Sequence, residues 1–201
     1  MRLPRLYAIV DSAFAPTSVA EFARELVAGG VTLIQYRNKQ GSSHQLLSDA
    51  RELRRACPAG VTLIMNDRAD LAVAADFDGV HLGQKDLPAR AVRRLLPFPK
   101  IVGVSTHTMA EVQAADASNV DYIAVGPIFG TTSKVDHEPI VGLDGLSRTR
   151  ALTPKPIVAI GGITLENCSS VIRAGADSVA VISSLLSQPR ESSAAFLRVL
   201  L

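Results

Sequence analysis

The chain has 201 residues, 47% of them hydrophobic and 4% aromatic, with no Trp and a formal net charge of +2. Its basic residues are dispersed, with no basic run interleaved with aromatics, which argues against nucleic-acid binding. No apolar run approaches the length that spans a bilayer, and Cys57 and Cys168 lie far apart with no Cys-x-x-Cys pairing, which argues against a metal cluster or a disulfide framework. The apolar content is mostly Ala, Val, Leu and Ile, as expected of a buried parallel sheet covered by helices. Two positive charges precede the first apolar run, but that run is only about six residues and meets Asp11, too short for a signal peptide. The reading is a cytoplasmic protein with one domain over 1–201.

The predicted elements alternate. Leu6–Val10 reads as the first strand. Ser18 and Glu21 then form a capping box before the apolar helical face of Phe22, Ala23, Leu26 and Val27, which Gly29-Gly30 ends. Val31–Tyr36 is the second strand. Ser42 with Gln45 starts a helix carrying Leu46, Leu47, Ala50 and Leu53, and Pro58 stops it. Val61–Met65, Gly79–Leu82 and Lys100–Val104 are the next strands. Thr108 with Glu111 opens another helix before the strand Tyr122–Val125. Pro156–Ile160, the helix Leu165–Ala174 ending at Gly175, and the strand Ser178–Ile182 complete the pattern. Eight apolar strands with intervening helices predict an α/β fold, a compact (β/α)8 TIM barrel, with an open doubly wound sheet as the rival.

Nearly every strand end is polar, and a barrel would gather those ends on one face. Gly161-Gly162 and Ser183-Ser184 follow the last two strands and match a phosphate cradle, since glycine lets backbone N–H groups approach an anion. The bland alternative is a tight turn. Asp67 and Asp86 follow the third and fourth strands, and two carboxylates without nearby His or Cys suit a hard cation such as Mg²⁺. Alternatively Asp67 pairs with Arg68 and caps the next helix. Arg37, Lys39 and Lys134 point toward the same mouth, unless they form a solvated rim. Together these groups favour a substrate carrying pyrophosphate with Mg²⁺, and a second phosphorylated group. No Ser/His/Asp or Cys/His arrangement is visible. His81 reads as a packed or hydrogen-bonded histidine, and His107 as a surface loop residue. Without a nucleophile, electrostatic stabilisation of a leaving group is the natural mechanism. The long polar connection from Gly126 to about Leu143 is of the kind that is commonly functional, and it is expected to close over bound substrates.

These motifs in this order resemble the thiamine-phosphate synthase family. The resemblance runs from Leu6-Tyr-Ala-Ile-Val-Asp11 to Val181-Ile-Ser183. It rests on Gln35-Tyr-Arg-Asn-Lys39, on Asn66-Asp-Arg68 followed by Asp70-Leu-Ala72, on Asp78-Gly-Val-His-Leu-Gly-Gln-Lys-Asp86, and on Gly126-Pro-Ile-Phe-Gly-Thr-Thr-Ser-Lys134. The resemblance implies a transferase that joins a pyrimidine methyl diphosphate to a thiazole phosphate and releases pyrophosphate. It implies that Gln35, Tyr36, Arg37, Asn38, Lys39, Asn66, Ser105 and Lys134 contact the pyrimidine diphosphate, with Arg37, Lys39, Ser105 and Lys134 as the catalytic set. Asp67 and Asp86 would hold Mg²⁺, and Thr131, Thr132, Ser133, Gly162, Ile182 and Ser183 the thiazole phosphate. Three positions depart from the family pattern: Gly130 where Pro is frequent, Ser133 where Thr is usual, and Ser184-Leu185 where Ala-Ile follows the serine. A related thiazole tautomerase is the rival enzyme, but it commonly carries His where this chain has Pro127. A barrel that senses thiamine precursors without catalysis is the remaining alternative. The expected partners are small-molecule substrates, with no nucleic acid and no membrane, and homo-oligomerisation stays open.

Overall fold

Eight parallel strands pair in sequence order and close into a barrel in the computed structural model, which describes residues 2–130 and 139–201. They are β1 (Leu6–Asp11), β2 (Leu33–Arg37), β3 (Thr62–Asn66), β4 (Gly79–Leu82), β5 (Ile101–Thr106), β6 (Tyr122–Val125), β7 (Ile157–Ala159) and β8 (Ser178–Val181). The pairing of Leu6, Tyr7 and Ala8 with Val179, Ala180 and Val181 joins β1 to β8 and rules out the open sheet. Among the described residues the helices are α1 (Val19–Ala28), α2 (Ser43–Ala56), α3 (Ala69–Ala74), α4 (Ala89–Leu95), α5 (Met109–Asp116), α6 (Gly142–Leu152), α7 (Cys168–Arg173) and α8 (Pro189–Leu200). None is long and apolar enough to cross a membrane.

Local sequence signals set the helix starts. Thr108 and Glu111 form the full reciprocal box at α5. Ser18 and Ser42 accept from the N–H groups of Glu21 and Gln45, each at 3.2 Å, which satisfies one otherwise unpaired donor per helix. Several strands run one or two residues beyond the predicted ends. β5 continues through Ser105 and Thr106, which the sequence pattern puts in the following loop.

Side chains alternate between two cores, as the pleat requires. Leu3, Tyr7, Leu33, Ile64, Tyr122, Ala124, Val158 and Ala180 fill the barrel interior. Ile34, Tyr36, Leu63, Val80, Val102 and Ile123 belong to the larger core between sheet and helices. Interior space is rationed between strands. A Cβ on Gly103 would lie 2.0 Å from Tyr122 Cζ, so the Tyr122 ring occupies the volume that β5 leaves empty.

A repeated brace closes the end of the barrel where the strands begin. Asp78, Asp121 and Asp177 each precede an even-numbered strand. Each donates its backbone N–H to the carbonyl of Leu63, Val102 or Ile157, at 2.8, 2.7 and 2.8 Å. Each side chain accepts the N–H of that same residue in return, at 2.8, 2.7 and 2.8 Å. An arginine from an even-numbered helix completes each brace: Arg54 on Asp78, Arg93 on Asp121 and Arg150 on Asp177. The ladder's first unpaired donors are thereby satisfied without water.

The Gly103 contact gives a direct stability test. Gly103→Ala should destabilise the fold by roughly 3 kcal/mol, since overpacking a filled interior displaces the ring. Chemical denaturation measures this, and a loss below about 0.5 kcal/mol, the size of an ordinary surface substitution, would show that Tyr122 has room to move.

Candidate active site

The strand ends open into a cavity of about 530 Å³, within the range of small-molecule sites. Its floor is the top of the barrel interior: Tyr7, Gln35, His81, Ser105, Ala124 and Val158. The β2–β4 side of its rim carries Arg37, Lys39, Asn66, Asp67, Lys85 and Asp86. The wall formed after β7 and β8 carries Gly161, Gly162, Ile182 and Ser183. These two sides face each other, because three strands lie between β3 and β7 in either direction round the closed barrel.

On the acidic side, Asp67 has φ +61°, a left-handed conformation uncommon outside glycine but tolerated by Asp. Two bonds hold it there: Asp67 N–H to His81 O and Arg68 N–H to Asn66 O, both 2.7 Å. Backbone strain of this kind persists where the surroundings over-determine it. The Asp67 carboxylate pairs with Lys39, whose side chain is half exposed, rather than with Arg68. Arg68 pairs with Asp70, and α3 has no side-chain cap. Burial pushes the Asp67 carboxyl above the usual carboxylate range. Lys39 opposes that shift and the neighbouring Asp86 carboxyl adds to it. Asp86 is fixed by accepting from Gly83 N–H at 2.6 Å. Two carboxylates are thus pressed together in a partly desolvated place, an arrangement that a proton or a hard cation relieves.

Arg37 enters the cavity with its guanidinium paired to Asp11, which is 1% exposed. Asp11 is itself held by Ala13 N–H at 3.0 Å. Gln84 lies across the rim and donates to Ser105 O at 2.6 Å.

On the opposite wall Gly161 and Gly162 have φ of +90° and +65°. A Cβ on Gly162 would lie 2.5 Å from Gly130 O and 2.7 Å from Phe129 Cβ. Glycine is therefore required there for packing against the chain after β6, besides any approach by an anion. Asn167 braces the turn, donating to Gly162 O at 3.0 Å and accepting from Thr164 N–H at 2.9 Å. Ser183 begins a single 3₁₀ turn, Ser183–Leu185.

The structure thus brings Gln35, Arg37, Lys39, Asn66, Asp67, Asp86, Ser105, Gly162, Ile182 and Ser183 to one cavity. It does not bring Tyr36 and Asn38 there. Tyr36 is one residue out of phase with Gln35 and points into the outer core, where its hydroxyl donates to Asp49 at 2.6 Å. Asn38 folds back, donating to Tyr36 Oη at 3.3 Å and accepting from the N–H groups of Gln40 and Gly41. Neither residue lines the cavity from which the expected substrate contacts would be made. His107 is a second correction: it is half-buried, lines the cavity and bonds Gly126 O. Thr131, Thr132, Ser133 and Lys134, with the middle of the Gly126–Leu143 connection, lie outside the described residues. Tyr7, Gln84, Lys85 and Glu111 also line the site. Gln84 and Lys85 stand inside the Gly83–Asp86 motif and Tyr7 inside the Leu6–Asp11 motif, whereas Glu111 carries only the signal of a helix cap.

Comparison with known proteins agrees across nearly the whole chain. The family described as "Thiamine monophosphate synthase" matches residues 6–185. A protein of Koribacter versatilis named thiamine-phosphate synthase is 58% identical, over 100% of this chain and 97% of its own length. One of that name from Chloroflexus aurantiacus is 44% identical over 95% of this chain and 89% of its own length. The solved structure of a thiamine phosphate pyrophosphorylase from Pyrococcus furiosus superposes with a TM-score of 0.88. It is 30% identical and covers 98% of this chain and 95% of its own.

The crowding at Gly162 predicts that Gly162→Ala destabilises the protein by about 1–3 kcal/mol, from a left-handed φ plus displacement of Phe129. Thermal or chemical unfolding reads this directly. Wild-type stability would mean that the turn after β7 adjusts without cost.

Proposed function

The chain belongs to the thiamine-phosphate synthase family, and we propose that its cavity joins 4-amino-2-methyl-5-(diphosphooxymethyl)pyrimidine to a thiazole phosphate with loss of pyrophosphate. As a member of that family it is an enzyme of thiamine biosynthesis, a transferase. The observation that supports the finer reading is that Arg37 and Lys39 line one wall of the cavity and the Gly161-Gly162 turn with Ser183 the facing wall, with the acidic pair beside only the first.

The donor set fits Mg²⁺. This cation typically takes one or two carboxylates and completes its shell from water and substrate phosphate. Asp67 and Asp86 offer such a pair, with burial and the Asp86 carboxyl pushing the Asp67 carboxyl above the usual carboxylate range. Among the described lining residues the charges of Arg37, Lys39 and Lys85 balance those of Asp67, Asp86 and Glu111. A diphosphate would arrive with its own charge uncompensated. When bound, Mg²⁺ supplies that compensation and polarises the leaving pyrophosphate.

The chain's own residues supply the rest. Arg37, oriented by Asp11, and Lys39 stabilise the charge that develops as the C–O bond to pyrophosphate breaks. Lys134 is proposed to join them. The electron-rich aminopyrimidine carries the resulting positive charge on its methylene. Gly162, Ile182 and Ser183, with Thr131, Thr132 and Ser133, are proposed to hold the thiazole phosphate, so that the ring nitrogen attacks from short range. No side chain needs to remove a proton from the nucleophile, because the thiazole nitrogen attacks with a free lone pair. An assay with both substrates and Mg²⁺ tests the reading: thiamine phosphate and pyrophosphate should appear in equal amounts. Thiazole isomerisation alone would favour the tautomerase, and binding without turnover a sensor.

Asp86→Asn keeps an acceptor for Gly83 N–H and should leave the fold intact. It should lower turnover on the order of 100-fold, the loss typical of removing one electrostatic stabiliser, and raise the Mg²⁺ concentration needed for half-maximal rate. Near-normal activity at limiting Mg²⁺ would remove Asp86 from the metal site.

A further inference from the structure

A hydrogen-bonded chain of five side chains crosses the barrel interior beneath the cavity. Gln35 Nε2 donates to Tyr7 Oη at 3.0 Å, and Tyr7 Oη meets Tyr122 Oη at 3.0 Å. Tyr122 Oη meets His81 Nδ1 at 2.9 Å, and His81 Nε2 meets Ser105 Oγ at 2.8 Å. The chain begins under the β2 rim and ends at Ser105 on β5. Its aromatic members are locked by packing. Tyr7 and Tyr122 meet edge to face with centroids 6.0 Å apart, and the His81 ring lies within 15° of parallel to that of Tyr122.

We propose that this chain has one direction, and that Tyr122 and His81 are positioning residues that make Ser105 a hydrogen-bond donor into the cavity. This deepens the function proposed above, and rests on it where it assigns the Ser105 proton to a diphosphate oxygen.

The direction follows from counting protons. The amide nitrogen of Gln35 has hydrogens to give and no lone pair to offer, so Tyr7 Oη accepts there. Among the described residues, the remaining partner of the Tyr7 hydroxyl is Tyr122, so the single Tyr7 proton goes to Tyr122 Oη. Tyr122, having accepted, gives its own proton to His81 Nδ1. A neutral imidazole that accepts at Nδ1 carries its hydrogen on Nε2. His81 Nε2–H therefore donates to Ser105 Oγ, and the Ser105 hydroxyl proton is left to point at the cavity that Ser105 lines.

Reversing the chain, or charging His81, leaves a buried tyrosine proton with no acceptor among the described residues, and such groups are rare because they are costly. Burial also pushes both tyrosine hydroxyls far above their ordinary pKa, so neither becomes a phenolate that accepts without giving. A serine aimed in this way differs from one that is free to rotate. Its proton is committed to an incoming anion before the anion arrives, so no reorientation accompanies charge development.

The direction can be read without any substrate. In nitrogen-15 spectra of the full-length protein labelled at histidine, His81 should show an unprotonated Nδ1 and a protonated Nε2 at neutral pH. Its signals are assigned by their loss in His81→Gln. A protonated Nδ1, alone or together with Nε2, overturns the proposal.

The consequence is read in Tyr122→Phe, which removes the proton that His81 Nδ1 receives. Calorimetry with inorganic pyrophosphate and Mg²⁺ should show affinity reduced about tenfold, as for loss of one hydrogen bond to a charged group. The turnover rate should fall by a similar factor, while KM for the thiazole phosphate stays put. Unchanged pyrophosphate affinity, or equal loss for both phosphates, overturns the link to Ser105. Failure of the wild-type protein to form thiamine phosphate would strike the proposed reaction and leave the tautomer result standing. Should Tyr122→Phe fail to fold, the wild-type spectrum still decides the direction.

Discussion

Closure of the barrel through the pairing of β1 with β8 is the constraint on which the rest of the molecule depends. Once the sheet is closed, each strand has an inside and an outside, and the two-residue pleat assigns every side chain to one of them. Gln35 and Arg37 turn inward to the cavity, while Tyr36 between them is committed to the helices. Ser105 faces the cavity, while its neighbour Thr106 turns its hydroxyl to the Ala124 carbonyl of the adjoining strand at 2.9 Å. A register slip of one residue would exchange these roles.

The two ends of the barrel solve opposite problems. Where the strands begin, the three aspartate–arginine braces pair backbone, side chain and guanidinium until each group has a partner. Where the strands end, polar groups are held in less comfortable states. Asp67 sits at positive φ with its carboxyl beside that of Asp86, and Arg37 reaches the cavity only with the buried Asp11 beside it. Strain and crowded charge persist there because the satisfied end and the two cores supply the stability that the rim gives up. The division matches that of TIM barrels generally, with function at one end and stability at the other.

Between the two ends, the interior is shaped by what is missing. Gly103 leaves space for one large ring, and Tyr122 fills it with a hydroxyl that must find partners in a water-poor place. It finds them in Tyr7 and His81, and the apolar plug becomes the support of the cavity floor. Packing and chemistry are coupled here, since the contact that seats the ring also aims the hydrogen bonds.

Much of this was legible in the sequence. Eight apolar runs, each closed by a polar motif, imply strand ends gathered on one face, and the Gln35–Lys39, Asn66–Arg68 and Gly83–Asp86 motifs name much of the β2–β4 rim. Strand and helix order depend on local periodicity and capping, which neighbouring residues carry. The phase of each strand against its neighbours does not. Tyr36 and Asn38 lie within a polar motif, and only the tertiary structure shows that Tyr36 turns to Asp49 and Asn38 folds back on its own loop. His107, Asp11 and the chain from Gln35 to Ser105 join residues that are up to 115 positions apart in sequence. What the sequence determined by itself was the succession of elements and the kinds of groups at their ends. The tertiary structure alone decided which groups meet, because hydrogen bonds and ion pairs act over a few ångströms of space, whatever the distance along the chain.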